Sequence, residues 1–243
     1  MASPVLEDDT FAKEVQDGYA GETMTLRGAV EKTAILGGVC VGTACLGWGM
    51  IAKGWFPFWI SWLLAGIAIA LVIAIAARPS RSPALAPYYA AVEGVLLGAV
   101  SRIYETELEG IVLQALITTA AVFFAMLGAY QLGWLRPSRK FVAIVITAAL
   151  GVGLIYTIHF ALGIFGTGLP FVTGNGSGPM IFSGMICVVA ALNLILDFGR
   201  IEQGAKVGAP RYMEWYSAFA LLVTIIWLYI EILRFLSRFR KRD

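Results

Sequence analysis

Residues 191–215 read ALNLILDFGRIEQGAKVGAPRYMEW and join the last two hydrophobic segments of the chain. Asp197 lies within an apolar stretch, three residues before Arg200. Glu214 lies three residues after Arg211, at the start of the next apolar stretch. If both arginines mark one membrane–water interface, each carboxylate lies about 4.5 Å deeper than its arginine, at the rise of an α-helix. The sequence therefore predicts two acids level with each other on adjacent helices, and acids at membrane depth are typical of functional sites.

The composition is that of a polytopic membrane protein. The chain has 243 residues, of which 59% are hydrophobic and 14% charged, and its mean hydropathy is +0.79. Soluble domains average about 45–50% apolar and about 25% charged residues. The sequence has no basic face large enough to follow a phosphate backbone, so we expect no nucleic-acid partner. No HExxH, GxSxG or Ser–His–Asp arrangement is present, so we expect no enzyme activity.

Seven apolar segments each have about the 20 residues that cross a bilayer core. They predict an all-α integral membrane protein with seven transmembrane helices. An acidic tail over residues 1–27 precedes them, and we expect it to be disordered and cytoplasmic, with the membrane domain over residues 28–243. The predicted spans are residues 32–52, 55–77, 84–103, 110–132, 140–165, 179–201 and 211–236.

The distribution of Lys and Arg predicts the orientation of the chain. The second, fourth and sixth connections carry eight Lys or Arg residues, whereas the first, third and fifth carry only Lys53 and Arg102. The even connections and the N-terminus should therefore be cytoplasmic. The basic residues over 234–242 disagree, because seven spans put them outside. Either the seventh segment does not fully cross, or the six connections overrule the terminal charges, and we favour the second interpretation.

The two acids allow a structural alternative, in which each forms a salt bridge with its neighbouring arginine at the headgroup level. Asn193 lies one turn before Asp197 on the same helical face, which favours a polar stripe over a single stray charge. Glu93 lies deep in the third segment with no cation nearby in sequence, so it is either a member of an ion path or a hydrogen-bonded structural residue. Glu231 and Arg234 are predicted to form an i,i+3 pair near the outer face.

The glycine pairs Gly38/Gly42 and Gly94/Gly98 have the GxxxG spacing of closely packed membrane helices. Cys40, Cys45 and Cys187 all fall in apolar segments and show no zinc-site spacing.

Three stretches of the chain carry a family pattern: YYAAVEGVLLGAVSRIYE at 88–105, LILDFGRIEQG at 194–204 and GAPRYMEWYSAFALLVTIIWLYIEILRFLSRF at 208–239. They resemble the Bax inhibitor family, and specifically its prokaryotic branch. The resemblance implies six helices around a central seventh and a multi-pass protein of the bacterial inner membrane. It also implies a pH-sensitive calcium leak channel, with calcium as the permeant ion, protons as the regulator and no cofactor.

The resemblance further implies a gate made of an acid on each of the last two helices and an arginine after the second. Asp197 matches the sixth-helix acid, and Arg78 matches the arginine. The seventh-helix pattern Tyr-x-Asp-Phe falls either on residues 212–215 or on residues 229–232, and the depth argument favours Glu214 over Glu231. Asp197 and Glu214 would then contact calcium and titrate as a coupled pair. The gate that they form would open in mild acid.

A second function is implied by the same resemblance. Some bacterial members of the family regulate a membrane-bound quality-control protease, and in that case the acidic N-terminal tail would contact the protease. Deletion of residues 1–27 would distinguish a tail-mediated contact from a leak that the membrane domain performs alone.

Overall fold

The described part of the chain is all-α and contains seven membrane-length helices, as the sequence predicts. The structure is a computed structural model that describes residues 22–174 and 176–241. Each of the seven helices is long and apolar enough to cross a bilayer, which confirms the integral multi-pass membrane class. The helices are α1 Leu26–Ala52, α2 Phe58–Ala77, α3 Ser82–Glu107, α4 Ile111–Gln131, α5 Arg139–Ile164, α6 Ser177–Lys206 and α7 Met213–Arg240.

Several helices extend beyond their predicted ends. The helix α1 begins at Leu26, six residues before the predicted span and two before the predicted domain boundary, and α6 continues to Lys206. Hydropathy marks only the part of a helix inside the hydrocarbon, whereas hydrogen bonding continues into the headgroup layer. The predicted tail lies outside the described residues as far as residue 21.

Two connections contain short helices that the sequence did not predict. Pro79–Arg81 forms a 3₁₀ turn between α2 and α3, because proline fixes φ at the start of a turn. The fifth connection contains a four-residue helix, Pro170–Thr173, which begins at a proline.

The described chain divides into two compact units. The N-terminal unit consists of residues 22–107 and 199–223, and the C-terminal unit of residues 108–198 and 224–241. The helices α6 and α7 therefore each contribute to both units.

Close packing of α1 against α3 organises the N-terminal unit. A Cβ atom added to Gly94 or Gly98 would lie under 3.0 Å from backbone carbonyls of α1, at Cys40 and Ala44 respectively. These two positions confirm the close approach that the GxxxG spacing predicts. The prediction was wrong for Gly38 and Gly42, which have nothing within 4 Å in the described part of the chain. Spacing alone does not show which side of a helix meets a neighbour.

The C-terminal unit packs α4, α5 and the larger parts of α6 and α7. Phe198 on α6 contacts two aromatic rings of α4, with centroids 5.7 Å away at Phe123 and 5.9 Å away at Tyr130. Among the seven described membrane-length helices, α7 is the most enclosed, with 61% of an 18-residue apolar window buried, against 11% for the corresponding window of α2.

Candidate functional site

Asp197 is buried in the C-terminal unit and bound by a hydroxyl group of α7. Its exposed fraction is 1%, and the Thr224 hydroxyl donates to Asp197 Oδ2 at 2.5 Å. Thr224 is itself 3% exposed. A buried carboxylate in a membrane helix is costly unless it is hydrogen-bonded, and Thr224 provides such a donor. Thr224 is therefore a neutral partner for Asp197 on α7.

Glu231 is a second buried acid of the C-terminal unit. The Tyr156 hydroxyl on α5 lies 2.9 and 3.0 Å from its two oxygens, and Arg234 Nη1 donates to Oε1 at 3.0 Å. The predicted i,i+3 pair with Arg234 is confirmed. Its environment differs from the prediction, because Glu231 is 1% exposed and Tyr156 completes the site as a third member. The Arg234 guanidinium also stacks on the Tyr156 ring, 5.0 Å from its centroid.

A third polar contact links the beginning of α6 to the end of α7. Arg238 donates to the Ser183 hydroxyl and the Pro179 carbonyl in the first turns of α6, and to the Val172 carbonyl in the fifth connection. Arg240 donates to the Glu109 carbonyl before α4 at 2.6 Å. The C-terminal end of α7 therefore lies beside the third and fifth connections. A seventh helix that crosses the membrane completely would end at that side.

These contacts share one antiparallel register and lie in one row along α6 and α7. Fourteen residues separate Asp197 from Ser183 on α6, and fourteen separate their partners Thr224 and Arg238 on α7. Glu231 lies at the midpoint on α7, two helical turns from each, so all three α7 residues share a face. The row, defined as Ser183, Asp197, Thr224, Glu231 and Arg238, is about 21 Å long and covers about two thirds of a bilayer core.

Asn193 lies next to this row but its amide is used within α6. The residue is 2% exposed, and its Nδ2 donates to the Val189 carbonyl at 2.9 Å, one turn earlier. The polar stripe of Asn193 and Asp197 stays a prediction. Among the residues that the structure describes, no group of three or more His, Cys, Asp or Glu side chains could hold a metal ion. Calcium contact by Asp197 and Glu214 stays a prediction.

Glu214 is buried in the N-terminal unit and bound by the start of α1. It is 3% exposed, and Oε1 accepts from the Thr25 backbone N–H at 2.9 Å and from the Thr25 hydroxyl at 3.0 Å. The salt bridge with Arg211 that formed the structural alternative is absent, because Arg211 pairs with Glu22. Asp197 and Glu214 thus belong to different units, and each has a partner in its own.

Residues 22–25, here called the N-terminal strap, lie in extended conformation against the α6–α7 connection. The Met24 N–H donates to the Ala209 carbonyl at 2.7 Å, and the Arg211 N–H donates to the Glu22 carbonyl at 2.9 Å. Thr23 and Pro210 form an antiparallel bridge between these bonds. Six residues assigned to the tail by the sequence, 22–27, are therefore part of the folded unit.

The two other predicted site residues also lie in the N-terminal unit. Glu93 is half-buried on α3, within electrostatic range of Tyr89 and Cys40. No hydrogen bond or ion pair of its carboxylate occurs within the described ranges, so its role in an ion path stays a prediction. Arg78 is exposed at the end of α2 and forms no ion pair with any described residue. Its action as a latch likewise stays a prediction.

Comparison with known families decides the identity of the chain. A family model described as Bax inhibitor 1 like matches residues 3–241. The chain belongs to the Bax inhibitor 1 like family. A search of curated proteins found no match. The family resemblance predicted from the sequence is confirmed, and assignment to its prokaryotic branch stays a prediction.

Sequence reasoning missed two functional candidates of this Bax inhibitor 1 like protein, Thr224 and Tyr156. A hydroxyl in an apolar helix is common and carries no charge signal. A regular spacing on α7 was nevertheless available, because Thr224, Glu231 and Arg238 follow one another at intervals of seven residues. That interval returns to the same helical face and marks a polar row.

Proposed function

We propose that this Bax inhibitor 1 like protein is a pH-sensitive calcium leak channel, and that the polar row between α6 and α7 is its ion path. The observation that carries the proposal is the row itself, with two carboxylates less than 2% exposed inside a membrane domain. Burial of an acid in a bilayer costs free energy. In other membrane proteins, acids that face the interior of the helix bundle mark ion and proton pathways. The proposed activity involves no covalent chemistry and no cofactor.

The contacts in the row correspond to a closed conformation. The carboxylates of Asp197 and Glu231 are occupied by Thr224, Tyr156 and Arg234. An ion that enters the row must replace these donors. Protonation removes the negative charge that attracts a hydroxyl or guanidinium donor, and so weakens the closed arrangement. Mild acid should therefore shift the population towards the open state.

The row changes the rank of the two candidates for the second acid. Glu231 lies on the same face of α7 as Thr224, the partner of Asp197, whereas the Glu214 carboxylate is bonded to Thr25. We therefore propose Asp197 and Glu231 as the proton-sensing acids. Thr224 is proposed to position the Asp197 carboxylate.

Calcium flux into dye-loaded liposomes tests the proposal with purified protein. The wild type should leak faster in mild acid than at neutral pH. Asp197→Asn and Glu231→Gln should each lose most of that difference, because each variant mimics a protonated acid. Glu214→Gln is the matched control and should keep the pH response. A pH response that survives Asp197→Asn and Glu231→Gln but is lost in Glu214→Gln would reverse the assignment. A wild type without calcium flux would reject the function.

The alternative function, regulation of a membrane protease through the acidic tail, stays a prediction, because the tail lies outside the described residues as far as residue 21.

A further inference from the structure

The Glu214 carboxylate lies where two helices of the N-terminal unit begin. Thr25 is the N-cap of α1, and its hydroxyl oxygen accepts from the Gly28 N–H at 2.9 Å. The same hydroxyl donates to Glu214, so one carboxylate completes the cap of α1. Glu214 is also the second residue of α7. Helix N-termini carry a partial positive charge, which favours an ionised carboxylate at this place.

The cations around Glu214 are engaged with other groups. The cleft beside it is lined by the charged side chains of Glu22, Arg27, Glu31, Lys32 and Arg211. Arg211 pairs with Glu22, and Arg27 pairs with Glu31 at 3.0 Å. Lys32 lies over the Trp215 ring, 5.7 Å from its centroid. Glu214 forms no ion pair with any described residue, so Thr25 and the two helix starts are what hold its charge.

We propose that Glu214 is a charge-dependent latch that holds the N-terminal strap on the α6–α7 connection. The ionised carboxylate holds the Thr25 N–H and hydroxyl, and Thr25 ends the strap whose other bonds run to Ala209 and Arg211. Neutralisation of Glu214 weakens these bonds and releases residues 22–25, while the membrane helices stay folded. The latch goes beyond the proposed leak and does not depend on it.

Gly28 provides a steric test that leaves every charge in place. A Cβ atom at this position would lie under 3.0 Å from both Glu214 oxygens, and the flexible end of that side chain would have to move away. Gly28→Ala should therefore open the latch. Helix propensity predicts the opposite effect on exchange, because alanine stabilises a helix relative to glycine. Gly37→Ala on the same helix is the matched control, since nothing lies within 4 Å of it in the described structure.

Hydrogen–deuterium exchange of full-length protein in nanodiscs measures the release directly. Glu214→Gln and Gly28→Ala should accelerate exchange of the amides at residues 22–28 about tenfold, because a charge-assisted hydrogen bond is replaced or displaced. Glu31→Gln and Gly37→Ala should exchange at the wild-type rate.

Three outcomes would overturn the latch. One is wild-type exchange in Glu214→Gln, and another is slower exchange in Gly28→Ala, which would mean that helix propensity dominates. The third is equal loss of protection over residues 226–233 within α7, because the latch requires local release. Calcium flux in the same variants is a separate measurement, so failure of the leak and failure of the latch are distinguishable.

Discussion

Removal of the Thr224 hydroxyl tests the contact at the Asp197 end of the polar row. Thr224→Val keeps the branched shape of the side chain but deletes the donor that lies 2.5 Å from Asp197 Oδ2. A hydrogen bond to a charged group contributes about 1.5–3 kcal/mol, and a neutral one about 0.5–1.5 kcal/mol. Interhelical bonds in membranes average about 0.6 kcal/mol with a maximum near 1.7, because the unfolded state also finds partners. For a contact this buried we expect a coupling of about 1–1.5 kcal/mol.

The assay is a double-mutant cycle with Asp197→Ala, measured by reversible unfolding in mixed micelles. The cycle subtracts the free-energy cost of the cavity that Asp197→Ala creates, and so isolates the interaction energy of Asp197 with Thr224. Thr224→Ser is the control and should retain most of the stability, since it keeps the hydroxyl. A coupling below about 0.3 kcal/mol lies within ordinary additivity. That result would refute the idea that Thr224 stabilises the Asp197 carboxylate, and with it the positioning role proposed for Thr224.

Two further predictions concern the packing of α1 against α3 and the orientation of α7. Gly98→Ala should destabilise the protein by about 1–3 kcal/mol because its Cβ would meet the Ala44 carbonyl, whereas Gly42→Ala should be neutral or stabilising, as thermal unfolding in detergent would show. Equal effects of the two variants would contradict the α1–α3 contact. A reporter fused after α7 that is active only in the cytoplasm should stay dark, because 28 residues rise about 42 Å and cross the bilayer completely. A bright reporter would mean that the predicted orientation is inverted or that α7 turns back.

The class of the protein and its seven spans were determined by the sequence. Transfer of apolar side chains into hydrocarbon is local and additive, so a run of about 20 apolar residues marks a helix without knowledge of its neighbours. The buried acids could be identified on the same grounds, because a charge inside an apolar run is visible from composition alone. Helix ends were less well determined, since the headgroup layer tolerates both polar helix and coil.

The partners of those acids could not be derived from the sequence. Depth along a helix was estimated from the arginines, and it favoured Glu214 as the companion of Asp197. The structure instead bonds Glu214 to Thr25, a residue 189 positions away, at the start of another helix. Depth specifies one coordinate of a side chain, whereas contact also requires the rotation of each helix about its axis. That rotation is decided by packing between helices.

The glycines show the same division. Gly38/Gly42 and Gly94/Gly98 have identical spacing, but only the second pair meets a neighbouring backbone. Spacing shows that two small residues share a face, and only the tertiary structure decides what that face contacts. The polar row has the same origin: its seven-residue interval is present in the sequence of α7, while Asp197, Tyr156 and Ser183 are brought to it by the packing of two other helices.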